Sequence, residues 1–291
     1  MSELEWPFLA SEVLAAKAIP ERALRTLYEP VYPNVYAPRG IELTAGQRAR
    51  AAWLWSRRKA VISGNSAAAL LGAKWVSPSL DAELTCENRR PPAGITVHTE
   101  TLLSGEVLDL DGMPVTAPAR AAFDIGRRTG SRLQAVQRLD ALANATDVKL
   151  DDVQSVISEH PGARGAIRLR RVLPLVDGGA ESPQETRTRL TLIDAGLPKP
   201  RTQIRVFDDY GDFVARIDMG YEDLRVGIEY DGPQHWTNRQ QRDRDIDRYR
   251  YSALHDLGWT IVRVSSELLR YRQGTFVTRV GTAMRTAGWR P

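Results

Sequence analysis

The segment VGIEYDGPQHW, Val226–Trp236, decides how the C-terminal half is read. An apolar run enters it and ends on Glu229, Asp231 and His235. Side chains alternate across a strand, so Val226, Ile228 and Tyr230 take one face and Gly227, Glu229 and Asp231 the other. Two carboxylates therefore project from one side of a strand near its end. Unpaired burial of like charges is costly, so something close by must carry positive charge.

Reading outward, RTQIRVFD and DFVARIDMGYE give two earlier strands, joined by a hairpin-type turn at Asp208–Gly211. Asp218 ends the second of them. If that strand neighbours Val226–Asp231, three carboxylates converge. A divalent cation is one remedy, because magnesium favours carboxylate oxygens and retained waters. An arginine partner is the other, and Arg216 and Arg263 are available. The spacing leaves both open. Upstream, SPQETRTRLTLIDAGL reads as a helix with Ser182 at the N-cap, Pro183 at the first turn and Glu185 at the third position, a capping-box arrangement. Downstream, RQQRDRDIDRYRYSALHDLG is a polar helix ending at Gly258, and WTIVRVSSELL is a fourth strand running into another helix. The order is α, β, β, β, α, β, α, with the last strand parallel to its neighbour through a crossover helix. In the charge run, Asp243 and Asp247 alternate with Arg244 and Arg248 at i,i+4 spacing. It reads either as a solvated helix or as arginines lining a DNA groove.

Toward the N-terminus, ASEVLAAKAI and PERALRTLYEP read as two short helices, with Ser11 as an N-cap candidate and Pro20 in a first turn. VYPNVYAPRG follows as a hairpin-like wing closed by Pro33 and Asn34. LTAGQRARAAWLWSRRKAV is an amphipathic helix capped by Thr44, with Trp53 and Trp55 at core or interface positions. SGNSAAALLGA is a helix ending at Gly72; its glycine and serine lack the lysine of a phosphate loop. AELTCEN and GITVHTE alternate as strands, with His98 standing alone in the second. TAPARAAFDIGRR, GSRLQAVQRLDALANA and KLDDVQSVISEH are three further helices. In GARGAIRLRRVLPLVDGGAESP, Arg164, Arg168 and Arg171 recur at i, i+4 and i+7, as a solvated helix face or as a stripe contacting phosphates. Gly178, Gly179 and Pro183 then mark a domain joint.

Composition bounds the classes. The 291 residues allow two domains. A net charge of +4 permits a nucleic-acid partner without demanding one. Cys86 is the single cysteine, which excludes an intramolecular disulfide and a cysteine-rich zinc site. The first residues lack the basic region of a signal peptide and no apolar run reaches membrane-spanning length, so a cytoplasmic location with no membrane partner is expected.

The C-terminal constellation resembles the PD-(D/E)XK nuclease superfamily. More narrowly, SPQETRTR, GLPKPRTQ, IDMGYEDLRVGIEYDGPQH, DRYRYSALHDLGW and IVRVSS resemble domain-of-unknown-function family 559, related to the very-short-patch repair endonucleases. Residues matching that pattern are Glu185, Gln203, Asp218, Glu229, Asp231, Gly232, His235, Asp247, Arg250, Leu254 and Gly258. The resemblance implies a restriction-endonuclease-like α-β-β-β-α-β core holding Mg2+ (or Mn2+) through Glu185, Asp218 and Glu229, with Asp231 as a further ligand. The superfamily's lysine belongs two residues after Glu229, where Asp231 stands, and no lysine follows Lys199. His235 is then the candidate for proton transfer, and Gln203 for orienting water or phosphate. Arg250 matches the family motif and, with Arg164, Arg168 and Arg171, is a DNA-contact candidate.

The N-terminal part resembles the AbiEi-type antitoxin domains, through NVYAPRG, ISGNSAAALLG and GMPVTAPARAAFDI. That resemblance implies a winged helix followed by a mixed α/β region, and DNA binding. The expected organisation is a winged-helix-like segment over 1–40, an AbiEi-like mixed α/β domain over 41–175 and a nuclease-like domain over 176–291. The leading expectation is a metal-dependent DNA endonuclease positioned by its N-terminal domain. The alternative is a non-catalytic DNA-binding regulator or antitoxin with a vestigial nuclease fold. DNA, a second copy in a homodimer, and a toxin or repair protein are the partners compatible with these readings.

Overall fold

A computed structural model describes residues 4–87, 90–232 and 241–290, with backbone alone over 241–247. His235 therefore lies outside the described residues, as do the side chains of Asp243, Arg244 and Asp247. The chain is mixed α/β and packs as two units, Met1–Val176 and Asp177–Pro291. Among the described residues, no helix is long and apolar enough to cross a membrane.

The first unit opens with β1 (Phe8–Leu9), α1 (Ala10–Ala15), α2 (Glu21–Leu27), β2 (Tyr28–Tyr32) and β3 (Val35–Pro38). The three strands form one antiparallel sheet in the order β1-β3-β2. Asn34 turns the β2–β3 hairpin at φ 65°, a conformation that asparagine tolerates. Its side chain accepts from the Ser11 backbone N–H at 3.1 Å and donates to the Ser11 hydroxyl at 2.8 Å. Ser11 is thus inside α1 rather than at its N-cap, which is Leu9 with no side-chain bond. Phe8, Ala10, Val13 and Leu24 are buried between these elements.

The remainder of that unit has α3 (Ala45–Trp55), β4 (Val61–Ile62), α4 (Gly64–Leu70), β5 (Ala82–Thr85), β6 (Ile95–His98), β7 (Val107–Leu110) and β8 (Met113–Thr116). α5 (Pro118–Arg128), α6 (Arg132–Ala145), α7 (Leu150–Glu159) and α8 (Ala166–Val172) follow. The strands form a five-stranded sheet in the order β6-β5-β4-β8-β7. Thr44 caps α3 in a capping box with Gln47. Trp53 is buried, as a core position requires. α8 begins at Ala166, and Gly165 before it is left-handed at φ 88°. Arg164 therefore stands off the helix, and the three-arginine helical face expected from the spacing is not formed.

The second unit runs α9 (Pro183–Asp194), β9 (Arg201–Phe207), β10 (Phe213–Tyr221), β11 (Val226–Asp231), α10 (Gln241–Asp256), β12 (Thr260–Ser265), α11 (Ser266–Tyr271) and α12 (Gln273–Thr286). Its sheet has the order β12-β11-β10-β9. β9, β10 and β11 form an antiparallel meander, and β12 joins β11 in parallel over six register pairs, Val226↔Thr260 to Asp231↔Ser265. Asp208 builds the β9–β10 turn by accepting from the Tyr210 and Asp212 N–H groups. One buried cluster joins Met219, Val226, Ile228, Val262 and Val264 to Leu192 of α9 and to Phe276, Val280 and Met284 of α12. Each such side chain contributes roughly 2 kcal/mol by leaving water. A second cluster joins Ile204, Val206, Ala215 and Ile217 to Leu254 of α10 and to Trp259.

Candidate functional site

In the second unit the meander brings the predicted acids together. The register pairing Met219 with Ile228 sets Asp218 beside Glu229, and Glu229 is in register with Arg263. Asp218 and Glu229, with Arg216, Asp231, Arg250 and Tyr251, line a cavity of about 410 Å3.

Each carboxylate has partners already. Ser182 caps α9 by accepting from the Glu185 N–H at 3.2 Å, and its hydroxyl donates to Glu185 Oε1 at 2.8 Å. Glu185 Oε2 accepts from the Glu181 N–H at 2.9 Å and from Gln203 Nε2 at 3.3 Å. Asp218 Oδ2 accepts from the Tyr230 N–H at 2.8 Å. Glu229 is 6% exposed. Arg250 Nη2 lies 2.6 Å from both its oxygens, and the Tyr251 hydroxyl donates to Oε2. Asp231 pairs with Arg263 at 2.7 Å, and Arg216 pairs with Glu181 at 2.9 Å.

Burial dominates the electrostatics. It pushes the Asp218 carboxyl up to about 6, with the Tyr230 N–H opposing and the charge of Glu185 adding. Burial also raises Glu185, against the Glu181 N–H and the Ser182 hydroxyl. It raises Glu229 too, against Tyr251 and Arg250, with Asp218 and Asp231 adding to the rise. Carboxyls perturbed in a cleft mark a functional-site candidate.

As arranged, two of the acids expected to hold a divalent cation are engaged with protein partners. Glu229 is taken up by Arg250 and Tyr251, and Glu185 by the N-terminus of its own helix. Among the described residues, no group of three or more His, Cys, Asp or Glu side chains is placed to hold a metal ion. Arginine is the counter-charge here, supplied to Glu229 by Arg250 and to Asp231 by Arg263.

The basic candidates disperse. Arg250 is engaged with Glu229. Arg168 Nη1 donates to the Arg127 and Thr129 carbonyls at 3.3 Å each, closing the C-terminus of α5. Arg164 and Arg171 are exposed.

The first unit holds a polar network that the reading of single residues missed. Arg120 is 1% exposed and reaches Glu106 at 2.6 Å, Asp124 at 3.1 Å and Glu100 at 3.3 Å. Arg127 binds Asp124 at 2.8 Å and also Glu100. Arg128 meets Glu100 at 2.9 Å, Asp124 at 3.0 Å and Glu83 at 3.5 Å. His98 closes on Glu83 at 3.1 Å and His160 on Glu106 at 2.6 Å. The visible signal was in TAPARAAFDIGRR, where Arg120, Asp124, Arg127 and Arg128 fall at helical spacing within an otherwise apolar helix. His98, alone in its strand by sequence, has a carboxylate partner in Glu83.

Comparison with known proteins adds family information. Residues 59–175 match the model of the AbiEi antitoxin C-terminal domain, so the network lies within the matched region. Uncharacterized proteins from two strains of Mycobacterium tuberculosis are each 30% identical over 228 residues, covering 76% of this chain and 82% of theirs. No solved structure matches significantly. The chain belongs to the same protein family as these mycobacterial proteins, with an AbiEi antitoxin C-terminal domain match at its centre.

Proposed function

We propose that the protein is a DNA-binding, antitoxin-like regulator. The carrying observation is the AbiEi antitoxin C-terminal domain match over 59–175, preceded by a helix–helix–hairpin segment over 10–38 and the helix α3. That segment supports a winged helix: α1 and α2 precede the β2–β3 hairpin, and β1 completes its sheet. Arg22 and Arg25 are exposed on α2. Residues 1–60 carry nine Lys or Arg against six Asp or Glu, a balance that favours a polyanion. In this reading residues 1–40 contact DNA, 41–175 form the antitoxin-like domain and a toxin is the natural protein partner. The unit from 176 onward then acts as a folded module without catalysis. Binding of the full chain to a duplex from upstream of its own coding sequence tests this, measured by fluorescence anisotropy against a scrambled duplex.

A second reading, metal-dependent DNA hydrolysis by the C-terminal unit, is favoured by one observation. Asp218 and Glu229, both with raised pKa values, line one cavity with Asp231, and the charge of Glu185, itself raised and bonded to Gln203, reaches Asp218. The strand order and the family 559 resemblance are consistent with it. Against it stand the occupied oxygens of Glu229 and the missing motif lysine. Incubation of the full chain with supercoiled plasmid and Mg2+ or Mn2+ separates the two readings. Cleavage lost in Asp218→Ala and Glu229→Ala favours hydrolysis; intact plasmid with specific duplex binding favours the regulator.

A further inference from the structure

β12 forms one edge of the second unit's sheet, and among the described residues no strand pairs with its outer side. The Thr260 N–H donates to the Arg225 carbonyl on the β11 side at 2.8 Å. Backbone groups alternate sides along a strand in a parallel ladder, so Ile261 and Arg263 turn their N–H and C=O groups outward. The opposite edge is different: β9 is kinked at Gln203, with φ 53°. β12 keeps six consecutive register pairs without a shift. Natural sheets usually blunt a straight, open edge because it templates further pairing.

Beside this edge runs a groove of about 930 Å3 between Thr260–Arg263 and one side of α12. The helix lines it with Gly274, Thr275, Thr278 and Thr282, small groups that leave room for a chain against the strand. Arg279 stands in the same lining and is exposed. Residues 266–290 hold five arginines, Arg270, Arg272, Arg279, Arg285 and Arg290, against the single acid Glu267. All five are exposed.

We infer that this groove is a docking site for an acidic, extended polypeptide segment of a partner, which adds to β12 as a fifth strand. Main-chain bonds to Ile261 and Arg263 supply register, and acidic side chains on the segment meet the arginines of α11 and α12. A second copy of this chain fits less well, because edge-to-edge pairing sets two basic helical surfaces against each other. Nucleic acid fits less well too, because a phosphodiester has no donor for the outward carbonyls of Ile261 and Arg263, which an extended peptide supplies. The inference is independent of DNA recognition by the first unit.

The probe is a fluorescein-labelled synthetic peptide alternating glutamate with valine, titrated into the full-length chain. Controls are its lysine counterpart, a version with proline at alternate positions, and single-stranded DNA. The glutamate peptide is expected to bind and to protect the Ile261 and Arg263 amides from hydrogen exchange. Thr278→Trp, which fills the groove from an exposed position, is expected to weaken binding at least about tenfold, and Arg279→Glu several-fold. Circular dichroism checks that both variants fold. Binding of the proline version equal to the parent, binding unchanged by Thr278→Trp, or no saturation at millimolar peptide overturns the inference. So does protection of the same amides by the DNA, or a Thr278→Trp-sensitive dimer of the chain alone.

Discussion

Arg250 Nη2 sits 2.6 Å from both carboxylate oxygens of Glu229, on a β11 residue that is 6% exposed. The pair answers the question raised by an acid at the end of an apolar strand: the counter-charge is an arginine from α10. Removing one partner of a buried pair strands the other charge in a poorly solvated place. Arg250 is itself partly exposed, so the effect is discounted from that of a fully buried pair. Arg250→Ala is expected to destabilise the protein by about 2 kcal/mol at neutral pH. Adding Glu229→Gln should restore most of that loss. Urea unfolding of the three variants checks this; additive losses in the double variant contradict the pairing.

Asp218 carries the opposite kind of strain. Its folded-state pKa of about 6 lies above the ordinary 3.8, so the folded chain holds the proton more tightly than the unfolded chain. The penalty is fully present above pH 6 and fades as pH falls from 6 toward 3.8. Asp218→Asn keeps an acceptor for the Tyr230 N–H and removes the charge. It should stabilise the protein by about 2–3 kcal/mol at pH 7.5, and the gain should shrink steadily below pH 6. A gain independent of pH would place the effect elsewhere.

Glu100 shows the reverse sign. Burial opposes its ionised form, yet Arg127 and Arg128 prevail and hold its carboxyl at about 2, below the ordinary 4.5. The stabilisation it gives is therefore present above pH 4.5 and lost as pH falls from 4.5 toward 2. Glu100→Gln should be less stable than the parent at pH 6 and converge with it in acid. Paired thermal scans from pH 6 to pH 2 measure this; a gap that stays constant argues against the ion pairs.

Gly64 is a steric test of the same sheet. It is left-handed at φ 55°, and a Cβ there would lie 2.4 Å from Glu83 Oε2. Glu83 is fixed in turn by the Asn65 N–H and by His98. Gly64→Ala should cost more than about 1 kcal/mol, because backbone strain and displacement of a fixed carboxylate combine. A neutral substitution in a denaturant titration would show that Glu83 moves freely.

How much of this was legible in the sequence depended on the range of the cause. Thr44 and Ser182 act within one helical turn, and both caps were readable from spacing. So was the convergence of Asp218 and Glu229, because strand alternation and a short hairpin fix their neighbourhood. Arg250 was matched to a motif, but its closure on Glu229 depends on where α10 packs, which spacing does not specify. β7 and β8 were missed although both carry strand-compatible residues, because MPVT is short and broken by Pro114. The stripe through Arg164 failed because helical spacing was extended across Gly165, whose left-handed backbone starts α8 only at Ala166.

DNA recognition by the first unit is tested most directly by the salt dependence of full-chain binding to the duplex upstream of its coding sequence. Anisotropy is read from low to moderate salt for the parent and for Arg22→Ala/Arg25→Ala. Specific binding that weakens steeply with salt is expected. Each lost phosphate contact should lower the log–log slope by about one, with circular dichroism unchanged. Binding indifferent to duplex sequence, or equal in affinity and slope for the parent and the double variant, would contradict recognition through α2.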